Sequence, residues 1–391
     1  MKRFLIKCGL FSIPLWVIFT PAVIHLETHR ELESTEVMAS QNQHDGALIG
    51  LGYTDPMHLV KHAILQNRQP EVIALGTSRV LQFRDFCFSK PESFYNCGRS
   101  VGKVQDLEAF LSSYPGEKPK VIILGLDQDM FSVDNEDLLK KPRTYQSKDS
   151  SYGTRLTKGT KAFWEAWSDG EIVTGTSLPE TTNFIGRNAR LENEGYRADG
   201  SYCYGRLLLR EDRTDEYEFK GTLRRIAKGK GRFAPTEEVN LDAVLMIADF
   251  LKNCHEMNIH VVGFLPPYAS KVYDRLKQDS ENYPHVFDLH NQLKPVFEAN
   301  GMRVEDYTDI RLLGANDYET TDGLHGSEVC YLKLLKLLSA NDTILMSYVD
   351  NNSLDYHITN AFSARQMVEE LLEAGPRVPK KGISRFSAQS E

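Results

Sequence analysis

Three short runs, VIALG at 72–76, VIILGL at 121–126 and IHVVGFL at 259–265, carry almost no polar residue. A strand with one wet face alternates polar and apolar side chains, so unbroken β-branched runs of this length belong to strands covered on both faces, as in a parallel sheet. MRVEDY at 302–307 is a weaker fourth strand. Residues 57–67, 104–114 and 241–257 have helical patterning, with apolar positions recurring at three and four in the last of them. Strands alternating with helices predict an α/β fold with a parallel sheet covered on both faces. The spacing of the runs places one large domain over residues 71–345.

With 41% hydrophobic and 26% charged residues and a net charge of -8, the chain is an ordinary folded protein whose charge gives no reason to expect nucleic acid as a partner. The alternation breaks between about 131 and 235, where glycines, charges and aromatics follow no sustained period. This region reads as an insertion over the strand ends, and its segment GYRADGSYCYGR at 195–206 has the aromatic and arginine content of an ordered loop. Within it, Arg197, Asp199 and Tyr202 are either a solvated rim or contacts to sugar hydroxyls. Residues 327–340 predict a closing helix and 364–374 a second helical patch, and the tail 375–391 has the composition of a disordered end.

The amino terminus departs from this pattern. Lys2, Arg3 and Lys7 precede an uncharged, largely apolar run at 8–26, and the chain turns polar at Glu27. Nineteen residues just suffice to cross a hydrocarbon layer of about 30 Å as a helix. No small-x-small cleavage site follows, so an uncleaved membrane anchor is expected, with residues 1–27 as cytoplasmic tip and span and the rest exported. Pro14 and Pro21 weaken the helix, although membrane helices tolerate proline. Residues 28–55 read as a polar spacer, and 28–70 as spacer plus leading helix. Besides Cys8, the cysteines are Cys87, Cys97, Cys203, Cys254 and Cys330, which form no dense framework. Cys87 and Cys97 are open to two readings, a bridge or a pair of small buried thiols. Neither HExxH nor CxxC occurs, so no metal or other cofactor is expected.

Chemistry concentrates in three stretches: EVIALGTSRV at 71–80, YNCGRSVGK at 95–103 and TDGLHGSE at 321–328. The first delivers Ser78 at the carboxyl end of a buried strand, where functional groups of an open parallel sheet gather. The last sets Asp322 three residues before His325. A carboxylate there can fix the imidazole tautomer, leaving His325 as general base and Ser78 as nucleophile. The bland alternatives are Ser78 as a turn or capping residue, Asp322 as a helix cap and His325 as a surface side chain. FLPPY at 264–268 ends a strand on the same edge, so Tyr268 either lines a pocket or belongs to a stiff turn.

These residues resemble the SGNH (GDSL-like) hydrolase superfamily, and within it a membrane-anchored, exported branch associated with bacterial surface-polysaccharide modification. Gly76-Thr77-Ser78-Arg79 stands where that family has Gly-Asp-Ser-Leu, and Asp322-Gly323-Leu324-His325 matches its final Asp-x-x-His. The resemblance implies a three-layer α/β/α sandwich of flavodoxin-like type and a Ser78-His325-Asp322 triad acting on acyl esters. It implies an esterase or O-acyltransferase working on acetyl groups of an envelope or secreted polysaccharide, with a membrane-bound acyl donor protein as a further partner. It also implies an oxyanion donor at Gly102, or alternatively Gly98, and another from a Gly-x-Asn-Asp block. Here Asp127 occupies the asparagine position, and an ionised carboxylate accepts rather than donates. Gln128 or Arg79 would have to substitute. A noncatalytic assembly component that keeps the fold is the alternative.

Overall fold

The computed structural model describes residues 2–44, 46–133, 140–145, 151–172, 183–205 and 218–367. Nine strands are formed among them: β1 (Leu48–Ile49), β2 (Val72–Gly76), β3 (Phe94–Gly98), β4 (Val121–Gly125), β5 (Phe184–Ile185), β6 (Gly195–Tyr196), β7 (Tyr202–Cys203), β8 (His260–Leu265) and β9 (Arg303–Asp306). Five make an all-parallel sheet in the order β3-β2-β4-β8-β9, which counted along the chain is 2-1-3-4-5. In such a doubly wound sheet the order reverses between β2 and β4, and the crevice beyond their carboxyl ends is the natural place for a site.

Successive side chains of each strand point to opposite faces, and both faces are dry. Ile73, Leu75, Ile122, Leu124 and Val261 pack with Val60 and Ile64, with Leu107 and Phe110, and with Ile247 and Phe250. Those partners lie on α3 (Met57–Arg68), α4 (Gln105–Ser113) and the helix Leu241–Glu256. On the opposite face Val72, Ala74, Val121, Ile123 and Val262 pack with Leu334, Leu335 and Leu338 of the helix Glu328–Asn341, and with Leu354 of the helix Asn351–Thr359. The result is a parallel sheet between two helical layers, and its core takes in residues beyond 345 as far as Met367.

The expected strands at 72–76, 121–126, 259–265 and 302–307 form, whereas β3 was not among them. FYNCG carries a polar residue at its centre, but Asn96 is fully buried and its Nδ2 donates to Val80 O (2.8 Å) and Phe83 O (3.0 Å). The insertion is more regular than its composition implies. It contains α5 (Tyr152–Ser168) and the helix Lys220–Lys228, and it contributes β5, β6 and β7 to a small sheet of order β5-β1-β6-β7. The helical patch expected at 364–374 is non-helical at 364–367, and the rest of it, like the tail 375–391, lies outside the described residues. Cys87, Cys97, Cys203, Cys254 and Cys330 are all buried and free, so the Cys87–Cys97 bridge is not formed.

In the leading segment the expectation for 28–55 changes. Among the described residues no helix is long and apolar enough to cross a membrane. The helix α1 runs from Lys2 to Thr28, but the side chains of residues 1–12, 14 and 15 lie outside the described set, and Ala22 and Leu26 near its end are buried in the protein. Nor is 28–55 a loose spacer. It holds α2 (Thr35–Gln41) and β1, with Met38 and Ile49 in the main core. Glu31 is buried, with its carboxylate accepting from the Gly52 N–H (2.9 Å) and the Arg187 N–H (2.6 Å).

Candidate active site

Strand β2 ends at Gly76, and the chain turns at once through a single 3₁₀ turn, Ser78–Val80. The turn fits because the strand ends carry glycine. A Cβ on Gly125 at the end of β4 would meet Val80 Cγ1 at 2.3 Å, and one on Gly76 would meet the same atom at 2.8 Å. Thr77 caps the turn, its Oγ1 accepting from the Arg79 N–H (3.2 Å) and donating to Asp127 Oδ2 (2.7 Å). A longer helix, whose dipole would have faced Ser78, is not formed.

The 320–326 segment is a tight loop closed by an antiparallel bridge between Thr320 and Gly326. Gly323 sits at φ 83°, with Phe219 and Val272 3.0 Å from where a Cβ would be. Inside the loop Asp322 Oδ1 accepts from the amides of Leu324 (3.0 Å) and His325 (2.9 Å), and both carboxylate oxygens face His325 Nδ1, at 2.9 and 2.8 Å. Burial alone would push this carboxyl up. The His325 charge, the ring hydrogen bond and the two amides together hold it well below its ordinary value.

The two loops meet across 247 positions of sequence. Ser78 Oγ lies 2.9 Å from His325 Nε2. With Asp322 accepting from Nδ1–H, the neutral imidazole presents its Nε2 lone pair to the serine hydroxyl, which is the arrangement needed to draw off its proton. Ser78 stands in a turn and Asp322 accepts two backbone amides, as the bland alternatives have it, but the side chains of both also meet the His325 ring.

The other expected site residues have different work. Arg79 is fully buried, and its guanidinium donates to Leu324 O (3.0 Å), Gln128 Oε1 (2.7 Å), Pro266 O (2.9 Å) and Pro267 O (2.8 Å), with the buried ring of Tyr268 4.5 Å away. It clamps the nucleophile turn to the base loop and is not free to meet an oxyanion. Gln128 Nε2 is committed to Pro266 O and Thr308 Oγ1. The Gly98 N–H donates to Asn96 Oδ1 (2.8 Å), and the Gly102 N–H to Asp106 Oδ2 (2.9 Å). Asp127 is buried with Oδ1 unpartnered, and burial raises its pKa against the pull of Arg79. Among the described residues the Ser78 N–H, beside the nucleophile, has no hydrogen-bond partner.

The insertion residues are likewise internal. Asp199 binds Arg84 (3.0 Å), Arg84 and Arg197 both reach Glu328 (2.9 Å each), and the Tyr202 hydroxyl donates to Glu194 (2.8 Å). Burial opposes ionisation of Asp199, but Arg84 and Arg197 hold its pKa at about 2. This network ties the chain after the nucleophile to the insertion and to the closing helix. The insertion does touch the site through residues that sequence reasoning passed over. Thr222 Oγ1 donates to Asp322 O (3.0 Å). Tyr204, hydrogen-bonded to Thr321, is pushed up by burial and by the Asp322 carboxylate. Tyr204 belongs to the aromatic segment 195–206, whose composition was the available signal.

No family model, curated protein or solved structure matches the chain.

Proposed function

We propose that the protein is a serine-type acyl-ester hydrolase or O-acyltransferase of SGNH-like, flavodoxin-like construction. The observation that carries this reading is the continuous Ser78 Oγ···His325 Nε2, His325 Nδ1···Asp322 relay at the carboxyl end of β2. In the reaction, His325 Nε2 takes the hydroxyl proton as Ser78 Oγ attacks the ester carbonyl carbon. The tetrahedral intermediate collapses, the leaving alcohol receives that proton, and the acyl group stays on Ser78. Water or a second hydroxyl then attacks the acyl-enzyme by the same relay, giving hydrolysis or transfer. Acetyl esters of an envelope or secreted polysaccharide are the proposed substrates, with residues 8–26 tethering an exported domain to the membrane and a membrane-bound protein as acyl donor. The test is turnover of 4-nitrophenyl acetate and acetate release from an acetylated polysaccharide. Wild-type protein turns over both, and Ser78→Ala lowers kcat by about 10⁶-fold; equal rates in the two would end the proposal.

One observation favours a second reading, a noncatalytic assembly component. Gly98, Gly102, Gln128 and Arg79 all spend their donors inside the protein, and Asp127 stands where a donor is wanted. A single backbone N–H at Ser78 is a sparse oxyanion site, and each missing donor costs on the order of 10²-fold in rate.

A further inference from the structure

We infer that Arg365 is a positioning residue of the proposed relay: through the Thr320 carbonyl it holds the loop of Asp322 and His325 where His325 Nε2 meets Ser78 Oγ. This role rests on the proposed function for its chemistry. It falls to a residue outside the three stretches in which the chemistry concentrates.

The loop is a hairpin whose neck is closed by two backbone bonds, from the Thr321 N–H to His325 O (2.8 Å) and from the Ser327 N–H to Glu319 O (2.8 Å). These bonds flank the Thr320–Gly326 pair, which is therefore of the non-hydrogen-bonded kind, with the N–H and C=O of Thr320 directed away from Gly326. Thr320 is buried, so its outward carbonyl needs a donor from elsewhere in the fold. Arg365 Nε supplies one at 2.8 Å.

The segment around Arg365 is built to hold it there. Residues 362–367 fold back on themselves, the Phe362 N–H donating to Met367 O and the Ser363 N–H to Gln366 O (3.1 Å each). Ser363 Oγ accepts from the amides of Arg365 (3.2 Å) and Gln366 (3.0 Å), which fixes the turn that presents the guanidinium. Met367 anchors the turn in the core, and its N–H donates to the Glu328 carboxylate (3.1 Å). On the other side of the neck Ser327 Oγ donates to Ala364 O (3.0 Å). Arg79 and Thr222 hold the hairpin at Leu324 and Asp322, near its tip, and this turn grips it at Thr320 and Ser327. Asp322 and His325 bind each other within the hairpin, whereas the Ser78–His325 bond joins the hairpin to the sheet. A shift of the neck therefore leaves the first contact intact and opens the second, and a misplacement of about 1 Å can cost on the order of 10²-fold in rate.

The test uses the full chain with isotopically labelled histidine and reads the two ring-nitrogen resonances of His325, assigned by their loss in His325→Ala. Ser78→Ala gives the position of an Nε2 without its serine partner. Arg365→Met is expected to move the Nε2 resonance toward that position and to leave the Nδ1 resonance in place. With 4-nitrophenyl acetate it should lower kcat about 10- to 100-fold at nearly unchanged KM, and Arg365→Lys, which restores a donor, should recover most of the loss. Ser363→Ala loosens the turn from its exposed side and should give the same pattern in weaker form. An Nε2 resonance that stays at its wild-type position in Arg365→Met overturns the inference, as does displacement of both ring resonances with no rescue by lysine. If Arg365→Met does not fold, an unmoved Nε2 resonance in Ser363→Ala overturns it instead. A wild-type protein that turns over no ester ends the proposed function, and the Nε2 comparison still decides the role of Arg365.

Discussion

The relay side and the oxyanion side of the sheet's carboxyl edge share the Ser78–Val80 turn and are opposite in state. On the relay side Ser78 Oγ meets His325 Nε2 and His325 Nδ1 meets the Asp322 carboxylate, the order that the proposed proton transfer needs. On the oxyanion side the amides of Gly98 and Gly102, the Gln128 amide and the Arg79 guanidinium are all paired within the protein. A proton relay can be complete while the charge it generates has few hydrogen bonds waiting for it. Activation of the nucleophile and stabilisation of the intermediate are separable properties of one site.

The sharpest way to break the comparison is Asp322→Asn. It keeps the shape of the loop but loses the carboxylate that selects the Nδ1–H tautomer, so kcat with 4-nitrophenyl acetate is expected to fall about 10⁴-fold, with a loss of thermal stability at neutral pH because the ionised carboxylate, held well below its ordinary pKa, stabilises the fold. A fall below tenfold would mean that the relay is not in use. Arg79→Met addresses the clamp between the two sides. Four buried acceptors lose their donor, and chemical denaturation is expected to show a loss of about 3 kcal/mol or more together with loss of esterase activity. Retained stability would show that the clamp is incidental.

Asp127→Asn has the smallest expected effect and sharpens the oxyanion side. A carboxyl whose folded pKa is raised above its ordinary 3.8 contributes stability at low pH that is lost as pH climbs through the shifted value. The asparagine variant escapes that loss. It should match wild type below pH 3.8 and exceed it in stability near neutrality, as pH-dependent denaturation would measure. A rate increase of about 10²-fold in the same variant would place this side chain against the oxyanion and redraw the comparison.

The relay was legible in the sequence because its components are local or tied to a strand end. Asp322 and His325 share one loop at a spacing of three, and Ser78 follows a run too apolar to be anything but a buried strand. The oxyanion side was not legible because a backbone N–H leaves no trace in a sequence until its acceptor is known. One signal was nonetheless available, since Asn96 two residues before Gly98 is a side chain that commonly takes up a nearby amide. For the fold, β3 escaped notice because Asn96 looks polar until Val80 and Phe83 supply its acceptors. Likewise α5 was hidden because the surface it covers, α1, lies more than a hundred residues away. Distant partners decided each of these cases, and periodicity within the segment could not supply them.

The central claim is that the Ser78 hydroxyl is activated by His325, and a serine-directed fluorophosphonate tests it most directly. Mass spectrometry of the labelled full-length protein should find one adduct, on Ser78, which disappears in His325→Ala. An adduct on another residue, no adduct at all, or undiminished labelling of Ser78 without His325 would contradict it.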